Sequence, residues 1–264
     1  MITGDKIEEI TKCGVSIEYA FAVLLAAAFG LDVIDNSDDR DLFNNYFCNM
    51  LHKHDPDEYY ADPYYRDIKI PSVKLGNSEL KYDRYKPFEG FVCNDIFRTA
   101  DGMQIPQIGF FETEFLFPAV FEDDRLWMSI TPNEIETMKE AVEKAFGSVL
   151  TFGLGLGYYA YMVSLKSEVT EITIVESNDD VINLFNKYIL PQFKYSDKIR
   201  IVKADAFEYA QNHLSGGKFD FVFTDLWHDV SDGIDMYLQM KKCEALSPDT
   251  QFMYWIEKSI RCYL

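Results

Sequence analysis

Three glycines within five residues, Gly153-Leu154-Gly155-Leu156-Gly157, limit the fold of this chain more than any other feature. Val149 to Phe152 ahead of them reads as an apolar β-strand, and Tyr158 to Val163 after them reads as a helix. Glycine is needed in such a turn because a side chain would hold the backbone away from whatever it approaches. A second apolar run, Ile172 to Val175, ends in Glu176, nineteen residues after Gly157. Strand, glycine turn, helix, strand and acid predict two neighbouring parallel strands whose carboxyl ends share one sheet edge, with Glu176 where ribose hydroxyls would lie.

The spacing argues against a nicotinamide cofactor. In the dinucleotide pattern the third glycine follows the second by three residues, a place held here by Tyr158, and the helix it opens holds a pyrophosphate. A GxGxG turn without a phosphate-binding Lys, Ser or Thr suits an adenosine ligand that carries no phosphate. Two further strands follow in order. Ile199 to Val202 runs into Asp205-Ala206, and Phe219 to Thr224 stops at Asp225. Each of the acids at 176, 205 and 225 thus ends an apolar run, on the edge where open α/β sheets bind ligands. The fold class expected is α/β, a Rossmann-like doubly wound sheet over 131–264, preceded over 1–130 by an α+β region of helices and then a small β region.

Residues 123 to 257 resemble the class I S-adenosylmethionine-dependent methyltransferases, most closely their spermidine synthase-like branch. The likeness rests on the glycine turn with Thr151 ahead of it, on Val175-Glu176-Ser177-Asn178-Asp179 with its helix closing at Pro191, on Asp205-Ala206-Phe207 and on Phe219-Asp220 to Thr224-Asp225. The resemblance implies S-adenosylmethionine as cofactor, or decarboxylated S-adenosylmethionine if the chain is an aminopropyltransferase. It also implies a cofactor set of Gly153, Leu154, Gly155, Gly157, Glu176, Ser177, Asp205, Ala206 and Asp225. In that set Glu176 binds the ribose and Asp205 with Ala206 the adenine amino group, while Asp225 meets the acceptor.

The chain departs from that branch at three places. Aminopropyltransferases carry Asp in the glycine turn where this chain has Leu156, and that carboxylate helps anchor the amino end of their decarboxylated donor. They follow the fourth-strand Asp with Ser-Ser-Asp-Pro, whereas Leu226-Trp227-His228-Asp229 stands here. Their Tyr-Gln pair ahead of the first strand has no counterpart near Thr131-Pro132-Asn133-Glu134. Adenosyl binding survives these differences better than polyamine synthesis. The sheet normally adds two more strands than the five readable here, so a truncation after the fifth strand, Phe252 to Ile256, is expected. That apolar edge requires a cover, whether a Lys258 to Leu264 helix, the N-terminal region or another subunit in a homo-oligomer.

Charge narrows the partners. With 25 Lys and Arg against 44 Asp and Glu, the net charge of −19 would repel a nucleic acid backbone, so a small neutral or cationic acceptor is favoured over nucleic acid. The longest apolar run, Tyr19 to Gly30, is too short to span a bilayer, and Asp5, Glu8 and Glu9 stand where a secretion signal would be basic. No membrane association and a cytoplasmic location are expected. Cysteines 13, 48, 93, 243 and 262 show no paired spacing, so buried reduced thiols are expected and neither disulfide nor metal.

Residues 6–30 and 38–51 read as helices, the second capped by Asn36 or Ser37. His52 and His54 lie in an acidic stretch that reads as a solvated turn more readily than as a metal site. Tyrosines 59, 60, 64 and 65 cover a core or wall a pocket. From Ile68 to Ile130, Gly76-Asn77, Pro87, Gly90 and Asp101-Gly102 punctuate short alternating strands, which predicts hairpins. Glu112 and Glu114 are candidates to face the cleft, against core packing of the aromatics around them. A lead-in helix opens at Thr131, with Pro132 in its first turn and Glu134 placed to complete a capping box, and by packing on the sheet it is expected to place Thr131 to Glu134 near the ligand-binding edge.

For chemistry, an adenosyl sulfonium is already a strong electrophile, and the protein mainly aligns an acceptor, excludes water and removes a proton. Asp225 is the candidate for that task, with His228 beside it as a second candidate or a loop-packing residue. Tyr158, Tyr159 and Trp227 offer aromatic faces to a cation, or simply pack. Three functions remain open: a small-molecule methyltransferase, an aminopropyltransferase, and a non-catalytic protein that binds an adenosyl ligand or acts through association.

Overall fold

The computed structural model describes residues 2–216 and 218–264. Its contacts divide the chain into two compact units. One comprises the residues up to Tyr60 together with Arg84–Leu116, and the other Ala61–Asp83 together with Phe117–Leu264. The second unit therefore takes in 61–83 and 117–130, stretches that the sequence reading grouped with the N-terminal region.

The first unit opens with α1 (Gly4–Thr11) and α2 (Ile17–Ala28). The single helix expected over 6–30 is thus two, broken where Gly14 takes a φ of 85° and Ser16 restarts the chain as an N-cap accepting from the Tyr19 amide. Asn36 caps α3 (Ser37–Leu42), which runs through a π-helical turn, Phe43–Phe47, into the short α4 (Cys48–Met50). These helices bury Ala20, Phe21, Ala26, Phe43 and Phe47 against Phe110. The strand β1 (Leu51–Lys53) follows at once and pairs in parallel with a later strand, His52 opposite Gly109. His52 consequently lies on a sheet and not in the solvated turn expected. It bonds Gln107, while His54 Nδ1 meets the Tyr59 hydroxyl at 2.9 Å. Among the described residues no group of His, Cys, Asp and Glu could hold a metal ion.

Two short helices, α5 (Pro56–Tyr60) and α6 (Pro63–Asp67), lead to β2 (Val73–Leu75) and β3 (Ser78–Tyr85), a hairpin turning at Gly76-Asn77 as expected. A second hairpin, β4 (Phe91–Arg98) and β5 (Gln104–Phe110), turns at Asp101-Gly102 and joins β1 in a three-stranded sheet. Then β6 (Phe115–Glu122) and β7 (Arg125–Ser129) complete a four-stranded sheet ordered β2-β3-β6-β7. Glu112 and Glu114 do not face a cleft. They pair with Lys53 and Arg84 on the exposed surface of the first unit.

The remainder of the second unit is a doubly wound layer. Helix α7 (Pro132–Lys144) precedes β8 (Gly147–Phe152), and α8 (Tyr158–Ser164) follows the glycine turn. Next come β9 (Val169–Glu176), α9 (Asp179–Leu184), β10 (Ile199–Lys203), α10 (Ala206–His213) and β11 (Phe221–Thr224). Finally α11 (Val230–Cys243), β12 (Gln251–Tyr254) and α12 (Glu257–Arg261) close the described chain. The five strands are parallel throughout, in the order β10-β9-β8-β11-β12. The order runs outward in both directions from β8, so the chain reverses its winding there, and a crevice opens at the carboxyl ends of β8, β9 and β11. Val149, Leu150, Phe152, Ile172, Ile174, Phe221, Val222 and Phe223 are almost wholly buried, as strands covered on both faces must be.

The C-terminal helix is shorter than expected and lies against α11, where the Tyr237 hydroxyl donates to Glu257 at 2.6 Å. Among the described residues no cysteine forms a disulfide. Cys93 and Cys243 are buried as expected, whereas Cys13 and Cys48 are exposed. No helix among the described residues is long and apolar enough to cross a membrane.

Candidate active site

A cavity of about 500 Å³ opens at the carboxyl edge of the parallel sheet, wholly within the second unit. Its floor is the glycine turn. Gly153, Leu154, Gly155 and Leu156 line it, and Gly157 stands just behind as the left-handed N-cap of α8, at a φ of 76°. A Cβ at Gly157 would fall 2.3 Å from the Phe185 ring, which explains why that place has no side chain.

Glu176 ends β9 and ties this floor together. Its Oε2 accepts from the Leu154 amide at 3.2 Å, and its Oε1 from the Ser177 and Asn178 amides at 2.7 and 2.8 Å. Three backbone donors hold the carboxylate at the crevice, and Oε2 keeps a lone pair for a further donor. Ser177 and Asn178 also line the cavity, Asn178 while capping α9.

Asp225 ends β11 on the other side of the turn. Its amide donates to the Phe152 carbonyl at 2.9 Å, which locks its position to the strand that feeds the glycines. Asp225 is half-buried and lines the cavity, and the protein packed around its carboxyl pushes the pKa up to about 7, because burial penalises the charged form. Glu134, in the first turn of α7, lines the same cavity. Burial, and then the neighbouring Asp225 charge, hold its carboxyl well above the usual carboxylate range.

That placement corrects the reading of Glu134. Thr131 is the N-cap of α7 but its side chain makes no capping bond, and Glu134 does not complete a capping box. The capping box lies instead at α11, where Asp229 and Asp232 cap each other's backbone. His228 lies beside it, largely exposed, with Nδ1 at 2.9 Å from Asp232 and its ring against Trp127. It lines the cavity mouth.

Asp205 and Ala206 are not brought into the cavity wall. Asp205 is exposed, and its Oδ1 caps α10 by accepting from the Phe207 and Glu208 amides. Spacing could not separate a ligand-binding acid from a helix cap, since Asp serves both.

Aromatic and sulfur-bearing side chains enclose the rest of the cavity. Tyr158, Tyr159 and Trp227 line it, as do Trp127 and Met128 of β7 and Trp255 after β12. The Tyr159 hydroxyl and Trp227 Nε1 are buried without a hydrogen-bond partner. Tyr64 and Tyr65, expected to wall a pocket or cover a core, brace the walls from behind. Their hydroxyls donate to the carbonyls of Leu156 and Ile130, at 2.6 and 2.5 Å. The β7 contribution was missed in the sequence, because no local pattern links it to a turn formed well downstream, whereas Glu134 lies at the ligand-binding edge where the lead-in helix was expected to place it.

Residues 135–246 match the family model of the spermine/spermidine synthase domain. This segment is spermine/spermidine synthase-like. It falls inside the stretch that resembles the class I S-adenosylmethionine-dependent methyltransferases and contains all three strand-end acids. No curated protein matches the chain. Solved structures similar to it include a spermidine synthase from Thermotoga maritima, at 19% identity and a TM-score of 0.39 over 71% of this chain and 58% of that one. Another is a precorrin 8w decarboxylase from Methanobacterium thermoautotrophicum, at 12% identity and a TM-score of 0.36 over 47% of this chain and 63% of that one. The chain thus spans about three fifths of each.

Proposed function

We propose that the spermine/spermidine synthase-like unit binds S-adenosylmethionine along its glycine turn and transfers the methyl group to a small acceptor, amine-bearing or neutral. The observation behind this reading is Leu156. It is a buried apolar residue of the cavity wall, at the place where the aminopropyltransferases carry an anchoring Asp. No carboxylate from the turn is available there for the ammonium of a decarboxylated donor.

The residues fit an adenosyl sulfonium. The cavity volume is in the range of small-molecule sites. Glu176 holds an acceptor lone pair toward the ribose, and the cavity-lining rings of Tyr159 and Trp227 offer faces to a cation. When bound, the sulfonium supplies an activated methyl carbon. Asp225 orients the acceptor and receives its proton, with His228 at the mouth on the following loop. Asp205 and Ala206 are proposed as adenine neighbours. Asp205 Oδ1 is already engaged as the cap, which leaves Oδ2 for such a contact.

Aminopropyl transfer is the second reading. It is favoured by the acids Glu134, Glu176 and Asp225 lining a cavity that, among the described residues, no Lys or Arg lines, so a donor without a carboxylate leaves no anion unmatched. Parallel thermal shifts with S-adenosylmethionine, S-adenosylhomocysteine, decarboxylated S-adenosylmethionine and methylthioadenosine separate the readings. A ligand at one hundred times its Kd adds about 2.7 kcal/mol, well within resolution. The first two are expected to stabilise most. Larger shifts with the decarboxylated donor would put aminopropyl transfer first, and no shift with any of the four would remove both in favour of a non-catalytic role.

A further inference from the structure

Glu134 and Asp225 reach the cavity from elements far apart in the sequence, the first turn of α7 and the end of β11. Among the described residues neither carboxyl has a hydrogen bond or an ion pair, whereas Glu176 accepts three backbone amides. Among the described residues no Lys or Arg lines the cavity to balance a second negative charge. The Tyr159 hydroxyl and Trp227 Nε1, on residues no more than 5% exposed that line the same cavity, also lack partners. Buried polar groups left unmatched in this way are costly, and their grouping in one cavity marks a place built for a ligand with hydrogen-bonding groups of its own.

We propose that Glu134 and Asp225 form one proton-sharing pair at the acceptor end of the cavity, in which Glu134 keeps its proton and Asp225 takes the acceptor's. This assignment of Glu134 as a positioning residue rests on the transferase reading. Two carboxyls that line one poorly solvated cavity do not both ionise readily, so the proton on one favours the charge on the other. Burial followed by the Asp225 charge raises Glu134 strongly, and burial alone raises Asp225, to about 7. Asp225 is therefore the member that changes state near neutrality.

The other titratable groups facing the cavity do not substitute for either member. Glu176 is held by amides, His228 by Asp232, and the Tyr158 hydroxyl donates to Asp62 at 3.1 Å. Burial holds the Tyr159 hydroxyl neutral. In the step itself the acceptor's bond to hydrogen breaks and the proton goes to Asp225. The acceptor forms a bond to the transferred carbon as the carbon–sulfur bond breaks, its electron pair remaining on sulfur. One positive and one negative charge disappear together, and Glu134 ends as it began, protonated.

The test is a carboxyl titration of the full chain, with 13C-labelled Asp and Glu side chains followed by NMR, in the wild type, Glu134→Gln and Asp225→Asn. Calorimetric binding of S-adenosylhomocysteine is measured alongside. A wild-type aspartate midpoint near 7 is expected, nearly unmoved by Glu134→Gln because the amide, like the protonated carboxyl it replaces, is neutral and can donate. Asp225→Asn should abolish that midpoint and lower the Glu134 midpoint, because it removes the neighbouring charge. A Glu134 midpoint equal in wild type and Asp225→Asn would show two independent carboxyls and overturn the pair, as would ordinary wild-type midpoints for both. If melting shows Asp225→Asn misfolded, Asp225→Ser is titrated in its place. Failure of the wild type to bind S-adenosylhomocysteine, with the coupled titration intact, would remove the transferase reading and leave the pair. Binding with independent titrations would remove the pair alone.

Discussion

Gly153 has no room for a side chain because the Asp225 carbonyl oxygen lies 2.0 Å from where its Cβ would stand. Two strand ends that are distant in sequence are pressed together at this point, and the bond from the Asp225 amide to Phe152 fixes their register. The glycine turn is therefore shaped as much by β11 as by any ligand.

Gly153→Ala should lower stability by more than about 3 kcal/mol, since it adds a backbone collision to the strain of a φ of 95°. Gly216→Ala is the control. Its φ is 107° with nothing within 4 Å of the added carbon, so about 1–2 kcal/mol is expected. Equal losses in urea unfolding would show that left-handed strain, and not the contact with Asp225, sets the requirement.

Removing Glu176 strips three backbone amides of their acceptor. Glu176→Ala should weaken S-adenosylhomocysteine at least tenfold, since a hydrogen bond to a charged group contributes about 1.5–3 kcal/mol. The loosened floor should also cost stability. Unchanged affinity by calorimetry would exclude Glu176 from the ligand.

The helix caps separate cleanly by substitution. Thr131→Ala should alter stability little, because its side chain makes no capping bond. Asn178→Ala should cost about 1 kcal/mol, because its Oδ1 accepts from two amides of α9. Denaturant midpoints read both, and a Thr131→Ala loss as large as that of Asn178→Ala would contradict the observed cap geometry.

Asp225 should make stability fall as pH rises. Its folded pKa of about 7 lies above its ordinary 3.8, so the native state binds the proton more tightly. The stabilisation is complete below about pH 4, is lost across the window up to about 7, and is flat above it. The slope is at most about 1.4 kcal/mol per pH unit. Asp225→Asn should remove this component, so the wild type loses stability relative to the variant between those limits. A constant difference across the window would show that Asp225 titrates normally.

The doubly wound sheet was legible in the sequence because each strand carries an apolar run and each turn its own local chemistry. The run Val149 to Phe152, the glycines and the acids ending the strands locate β8, β9, β10 and β11 and one edge where a ligand can lie. Those features depend on neighbours only a few residues apart. The break at Gly14 and the β1 pairing of His52 were hidden, since the first replaces one apolar helix by two and the second depends on β5, more than fifty residues away. Glu134 was legible in part. The lead-in helix puts it near the ligand-binding edge, but its spacing from Thr131 suggested a capping box that does not form, and its carboxyl lines the cavity instead. Asp205 shows the converse, a strand-end acid whose Oδ1 the local helix takes as its cap. Short-range patterns thus determined the strands and their order along the chain, while burial and the meeting of distant elements decided which carboxyls stay unpaired in the cavity and which are used by the backbone.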